Sequence, residues 1–459
     1  MYKFQSKQIG ISDFGMPLGM KLNPDNRWAK KAASIPWDDI EERYAELFES
    51  ETGNVAKPLR LALGALIIQT ERGLSDVETP LQIQETPCLQ YFCGMREYKD
   101  ELPFDSSLMV HFRKRLTPEI LGEINEMIIA KADKKSESRD KDDNADPPNS
   151  GTLIVDATCA PQNIRYPQDT SLLNEARENL EKMVDEMHEP GKAPKPRTYR
   201  IKARSDYLKI AKKRNKSAKE IRKAVGKQLR YIRRDIRIVE EMQSSGKELC
   251  GWQKERLETI KTLYDQQLFM HRNRTHKVEN RIVSLSQPWV RPIVRGKAKA
   301  KCEFGAKLDI SVVNGFTRLE YTSFDAYNEG ENLVEIIERY RMREGHYPAK
   351  VLADKIYRDR DNLKFCKGNG IQLSGKPLGR PRTDSTPNKK QLRADEIARI
   401  EVERKFSHAK GSFGLGLIRA RLKGTSETAI ALSVVALNLA HIGRLLRVIF
   451  AWRKLLAVQ

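Results

Sequence analysis

Nineteen consecutive residues, Ala132 to Ser150, set the plan of this chain: they are dominated by Lys, Asp, Glu and Ser and finish in Pro147-Pro148-Asn149. Such a segment has too little apolar surface to offset the entropy of ordering it, so it reads as a solvated linker between two differently patterned regions. The region before it is helical. Residues 1–36, punctuated by Gly10, Gly15, Pro17, Gly19, Pro24 and Pro36, read as irregular. From Trp37 helical spacing sets in, with Asp38 as a cap, and Pro58 opens a stretch that repeats Leu59, Leu63, Leu66 and Ile67. Short helices over 75–85, 106–115 and 118–131, the last two capped by Ser106 and Thr117, complete an all-α N-terminal domain over 1–131.

Beyond the linker the texture changes to strands. Thr152-Leu-Ile-Val-Asp156 is a short apolar strand ending in a carboxylate. A long helical segment, 171–288, then interrupts the strand pattern. In it Val225, Leu229, Ile232, Ile236 and Val239 step by four and three, a coiled-coil seam. The turn at Ser244-Ser-Gly-Lys separates it from a second seam through Leu257, Ile260, Tyr264 and Leu268, which predicts an antiparallel helical hairpin. Strands return at 303–313 and 316–324 around Asn314-Gly315, a strong hairpin signal. A helix (329–343), the strand Lys350-Val-Leu-Ala-Asp354, a helix near 359–367 and a short strand at 371–373 come next. A Pro/Arg/Lys-rich loop, 376–390, leads into helices over 391–410 and 426–450. This order predicts an α/β domain with a mixed sheet flanked by helices, residues 151–170 and 289–459.

Charge narrows the partners. The chain carries 83 Lys and Arg against 62 Asp and Glu, a net charge of +21, and 19 of the basic residues fall between Lys192 and Arg237 against three acids. A surface this basic suits a polyanion, because neutralising phosphates releases counterions. The six cysteines are scattered without zinc-ligand spacing, which excludes a zinc site or disulfide framework and fits a reducing compartment. The uncharged stretch Thr428–Gly443 is short for a membrane span and reads as a buried core helix. A cytoplasmic, nucleoid-associated protein without a membrane partner is expected.

Two acids close strands, Asp156 and Asp354, where a buried charge requires a counter-charge and a divalent cation is one such partner. Capping and turn formation are the structural alternatives. On the last long helix, Arg399, Glu403 and Lys410 are spaced i, i+4 and i+7 on one face, the pattern of a metal-holding Glu between two phosphate-gripping cations or of a salt-bridged surface stripe.

With these residues the chain resembles the insertion-sequence DDE transposases, whose catalytic core is RNase H-like. Their signature around the third acid is Tyr-x2-Arg-x3-Glu-x6-Lys. Arg399, Glu403 and Lys410 match its last three members, while Glu396 stands at the Tyr position. The first acid's setting, Val155-Asp156-Ala-Thr158, and the second's, Asp354-x-x-Tyr357, match as well, and 57–116 resembles the family's helical N-terminal domain. The resemblance implies that Asp156, Asp354 and Glu403 are catalytic and hold two Mg2+ ions, replaceable by Mn2+, about 3.5–4 Å apart for cleavage and strand transfer at the element's ends. It implies double-stranded DNA as partner, both terminal inverted repeats and target, in a homodimer or higher synaptic oligomer. Arg399 and Lys410 are expected at phosphates near the cut. Arg113 and Arg115 belong to the end-reading N-terminal helices, Arg380 and Arg382 to a loop against DNA, and the basic insertion either clamps DNA or is a structural coiled coil. A DNA-binding derivative without catalysis, an RNase H-like nuclease without strand transfer and a coiled-coil scaffold remain as alternatives.

Overall fold

The computed structural model describes residues 1–4, 9–48, 52–133, 148–191, 194–294, 302–375 and 389–456. Most of the charged linker and nearly all of the loop 376–390, with Arg380 and Arg382, lie outside the described residues. In chain order the elements are α1 (Arg27–Ser34), α2 (Trp37–Ala45), α3 (Leu59–Arg72), α4 (Glu78–Glu85), α5 (Pro87–Phe92), α6 (Leu108–Arg115), α7 (Pro118–Asp133) and β1 (Thr152–Pro161). Next come α8 (Asp169–Met187), α9 (Arg200–Ala211), α10 (Ala218–Ser244), α11 (Gly251–Asn273), β2 (Arg291–Val294), β3 (Cys302–Val313) and β4 (Phe316–Ser323). The chain continues with α12 (Leu333–Glu344), β5 (Lys350–Leu352), α13 (Arg360–Gly368), β6 (Gln372–Leu373), α14 (Lys389–Ser412) and α15 (Lys423–Leu456).

Two compact units emerge. The first comprises Met1–Pro161, Lys307–Ser323 and Tyr327–Gln459, the second Gln162–Ala306 with Phe324–Ala326. In the first unit β3 pairs antiparallel with β4, β3 neighbours β1, and β1, β5 and β6 pair in parallel, giving the order β4-β3-β1-β5-β6 in a mixed α/β layer. The hairpin turns as predicted: Asn314 and Gly315 both take positive φ, 51° and 80°. Gly315 is also sterically required, since a Cβ there would meet Nε2 of His441 at 2.5 Å.

The N-terminal helices do not close on themselves. Their core, centred on α3 with Leu63, Leu66 and Ile67 fully buried, runs on into Phe316 of β4 and Leu432, Val435 and Leu439 of α15. Asn438 of α15 ties the two together, donating to Oδ1 of Asn125 (2.8 Å) and to the Thr317 carbonyl (2.7 Å) and accepting from the Thr317 N–H. At 34 residues α15 is longer than its uncharged stretch predicts, and it is long and apolar enough to cross a membrane by composition. Here most of that apolar stretch is packed inside the first unit. The stretch read as irregular contains α1, because the side chain of Asn26 caps the Trp28 N–H while Trp28, Ala29 and Ala32 are buried. Pro24 and Pro36 lie just outside its ends, which is where punctuation belongs.

The second unit corrects the helical hairpin. It holds four helices, with α8 and α11 both packed on α10 and α9 lying along α8 and α10. The predicted seam is real: Val225, Leu229, Ile232 and Val239 are buried, and so are Leu257 and Ile260 of α11. Much of the seam's burial, however, is against α8, through Leu173, Ala176, Leu180 and Val184. The period of four and three marks which face is buried without saying how many helices share it. β2, unpredicted, pairs antiparallel with the start of β3.

Candidate active site

The convergence of the acids follows from strand alternation. In β1, Leu153 and Val155 face the layer holding α12 and α13, while Ile154 faces the opposite side with Val312, Leu352 and Val402. Side chains two residues apart share a face, so Asp156 lies on the side of Ile154, and Asp354 lies on the side of Leu352. The parallel register pairs Ile154 with Leu352 on strands about 5 Å apart, and just past that pair Asp354 comes near enough for its charge to bear on Asp156. One expectation is corrected: Asp156 does not end its strand, because β1 continues through it to Pro161. Asp354 does stand past its strand, where its carboxylate accepts from the Lys355 N–H at 2.7 Å.

α14 brings the third acid. Its Val402 is fully buried against Ile154, Val312 and Leu352, burial that contributes roughly 1.5–3 kcal/mol. Two charged contacts fix the helix on either side of that anchor. Lys350 of β5 pairs with Asp395, and the buried Lys405 donates to the Gly315 carbonyl at the hairpin turn. Burial pushes Lys405 down to about 8. With α14 pinned in this way, Glu403 and Arg399 come to the acids: the Arg399 guanidinium lies 3.1 Å from Asp354 and 3.8 Å from Glu403. Arg399 also acts on Asp156, drawing its affinity for a proton down.

Asp156 is the half-buried member, and burial pushes its carboxyl up to about 6, with the charges of Glu329 and Asp354 adding to the effect. Glu329 escaped sequence reading. It opens the turn Glu329–Asn332, which packs on the turn Lys355–Tyr357 just after Asp354, and Lys307 holds its carboxylate at 2.9 Å. Nothing in a polar, Gly-containing turn before a helix marks one of its acids for chemistry. Behind it, Asp309 is fully buried in β3 and accepts from the Tyr327 hydroxyl (2.8 Å) and the Asn332 amide (2.6 Å). The buried Tyr357 hydroxyl has no hydrogen-bond partner among the described residues, and its proton is held by burial and by the charges of Asp309, Glu329, Asp156 and Asp354.

An all-carboxylate donor set is the chemistry of a hard divalent cation, and the raised Asp156 marks negative charge in want of a counter-charge. As placed, Asp354 and Glu403 are ion-paired with Arg399, which reaches Asp156 only through its charge. No trio of His, Cys, Asp and Glu among the described residues is arranged as a coordination shell. The donors suit a cation by chemistry, while as placed Asp354 and Glu403 are paired with Arg399 instead.

Lys410 lies one face along α14 from Glu403, as predicted. Arg113 is 9% exposed, its guanidinium bound by Asp76 (2.5 Å) and by Gln69 (2.9 Å), and Arg115 stacks over the Phe48 ring at 4.5 Å.

Comparison with known proteins adds two family matches. The Transposase DDE domain family matches residues 351–440, from β5 into α15, a stretch that carries Asp354, Arg399, Glu403 and Lys410. The Transposase domain (DUF772) family matches residues 17–115, which hold α1 to α6. Asp156 lies outside both matches. A protein of Rhizobium meliloti described as "Uncharacterized protein ORF8 in nfe locus" is 28% identical over 192 residues, 42% of this chain and 83% of the relative. No solved structure matches the chain.

Proposed function

We propose that this chain, a member of the insertion-sequence DDE transposase family, cleaves DNA at the ends of its element and joins the freed strand to a target. The observation that carries this reading is Arg399, on the helix packed over two parallel strands, which pairs with Asp354 and Glu403 and acts through its charge on Asp156. The order β4-β3-β1-β5-β6 supports reading the sheet as RNase H-like. Asp156, Asp354 and Glu403 would hold two Mg2+ ions, or Mn2+, which when bound supply Lewis acidity to the attacking and leaving oxygens of an in-line phosphoryl transfer.

The chain's own residues do the rest. Partial burial of Asp156 raises its carboxyl, and the charge of Glu329 on the neighbouring turn adds to that effect. Arg399, shared between Asp354 and Glu403, keeps two exposed carboxylates converged and presents guanidinium N–H groups to a phosphate oxygen. Lys410 offers a second cation further along the DNA. Arg115, Arg380 and Arg382 add phosphate contacts away from the cut, and Arg113, bound to Asp76, shapes the end-reading helices. Joining two ends calls for at least a dimer.

The test is cleavage of duplexes carrying the DNA that flanks the gene, in Mg2+ or Mn2+. Asp156→Asn, Asp354→Asn and Glu403→Gln are each expected to abolish cleavage while the variants still bind the ends in a mobility-shift assay. A variant that cuts at the wild-type rate removes its residue from the site.

A further inference from the structure

Three glycines, Gly411 in the last turn of α14 and Gly414 and Gly416 just beyond it, superficially read as a phosphate loop, but they come at the end of a helix and form no strand-to-helix nest. The structure gives them another task. Gly414 takes a φ of +78°, and Gly416 passes so close to the end of α14 that a Cβ would meet the Lys410 carbonyl oxygen at 2.6 Å. The chain therefore doubles back on α14. Phe413, Leu415 and Ile418 are buried beneath it, and the Ile418 N–H donates to the Pro161 carbonyl at 2.8 Å, docking the segment at the far end of the strand that carries Asp156.

This folding leaves Arg419 and Arg421 exposed on the rim of a cleft of about 810 Å3. Lys410 lines the same cleft, whose other wall comes from the helical region at Ser75, Asp76 and Arg113. Arg113 is already neutralised by Asp76. Neither Arg419 nor Arg421 pairs with a carboxylate among the described residues, so the cleft holds two uncompensated guanidinium groups and Lys410. It also begins close to the acids: Glu403 and Lys410 are seven residues apart on one helix face, about 10 Å, or roughly three phosphates of a strand that advances 3.4 Å per charge.

We infer that this cleft is a DNA-strand subsite, in which Arg419 and Arg421 grip phosphates of the strand running away from the catalytic acids past Lys410. The inference rests on the transposase reading and adds to it a second, named contact region. Arginine suits the task, since its planar fork reaches a phosphate through two N–H groups at once. The role of the glycines is indirect: they set the angle of the returning chain.

The experiment is a salt titration of the full chain against a fluorescent duplex of mixed sequence, followed by anisotropy. Each phosphate neutralised contributes about 0.9 to the slope of log affinity against log salt, so Arg419→Gln with Arg421→Gln is expected to flatten that slope by about 1.8. The Lys pair, R419K with R421K, is expected to keep the wild-type slope because it keeps the charge. Both side chains are exposed and make no ion pair among the described residues, so the melting temperature should not move. A wild-type slope in the Gln pair overturns the subsite while leaving the transposase reading standing. A wild-type chain whose DNA affinity does not respond to salt overturns the DNA reading itself.

Discussion

Asp156 in the first unit and Asp235 in the second are both pushed above the usual carboxylate range by burial, Asp156 to about 6 and Asp235 to about 8. Asp235 shows the larger shift and the poorer site. It is fully buried in α10, neither oxygen has a hydrogen-bond partner among the described residues, and the charges acting on it are those of Glu181, Arg177, Arg234 and Arg200. Arg177 beside it is spent on Glu181 and Asn174. Asp156 is only half-buried, and beside it stand the half-buried Arg399 and, paired with that guanidinium, the exposed carboxylates of Asp354 and Glu403, which a substrate can reach. Perturbation by burial is thus common to a packing acid and a candidate catalyst, and access together with converging charge separates them.

The largest effect should fall on Asp156. Replacing it with Asn keeps its shape and removes the charge, and loss of a contribution of several kcal/mol predicts a drop in strand cleavage of about a thousandfold or more. Asp235→Asn should leave cleavage by folded protein at the wild-type rate. Equal losses in the two variants would erase the distinction drawn between the sites.

Asp235 should instead govern stability. Its folded-state affinity for a proton exceeds that of the unfolded chain, so between pH 4 and 8 the folded state holds a proton the unfolded state has lost. Stability therefore falls as pH rises through that window and is greatest below it. Asp235→Asn should remove this contribution and, at pH 8, raise stability by on the order of several kcal/mol, read as urea midpoints across pH. A wild-type pH dependence in the variant would mean that another group carries it.

A smaller effect is expected at Tyr357. Its hydroxyl is buried without a partner, so Tyr357→Phe should be neutral or stabilising by up to about 1 kcal/mol in thermal melts. Cleavage should fall all the same, because the hydroxyl sits within the field of the acids. Clear destabilisation would show that the hydroxyl does have a partner within the core.

How much of this was legible in the sequence depends on the range of the signal. Alternation in Leu153-Ile-Val-Asp156 and Val351-Leu-Ala-Asp354, and the Arg399, Glu403, Lys410 spacing, are local patterns, and in the structure Arg399 pairs with Asp354 and Glu403 and acts on Asp156 through its charge. The Asn314-Gly315 turn is equally local, because two positive φ angles demand such residues. The features that escaped are set by distant partners. α8 is the face that the α10 seam covers, and α15 and β4 complete the core of the N-terminal helices; neither partner can be read from the helix it packs against. Arg113 reads in the sequence as a DNA-facing cation of the N-terminal helices, but Asp76, 37 residues earlier, claims it. Glu329 has no local mark at all.

Glu329 offers the finest division of the comparison. Its carboxylate is bound to Lys307 and bears on Asp156 only through its charge, so it stands between a member of the acid set and a bystander. Glu329→Gln keeps the side chain's length and its place on the turn while removing one negative charge next to Asp156. Lys307 keeps its bond to the Tyr327 carbonyl, so the strand beneath should hold. A loss of about fivefold in cleavage is expected, the effect of about 1 kcal/mol, against no change for Glu331→Gln at the exposed position two residues on. A collapse as deep as that of Asp156→Asn would make Glu329 a fourth member of the acid set. A rate equal to that of Glu331→Gln would return it to the architecture of the turn, and the raised Asp156 would then be the work of burial and Asp354 alone.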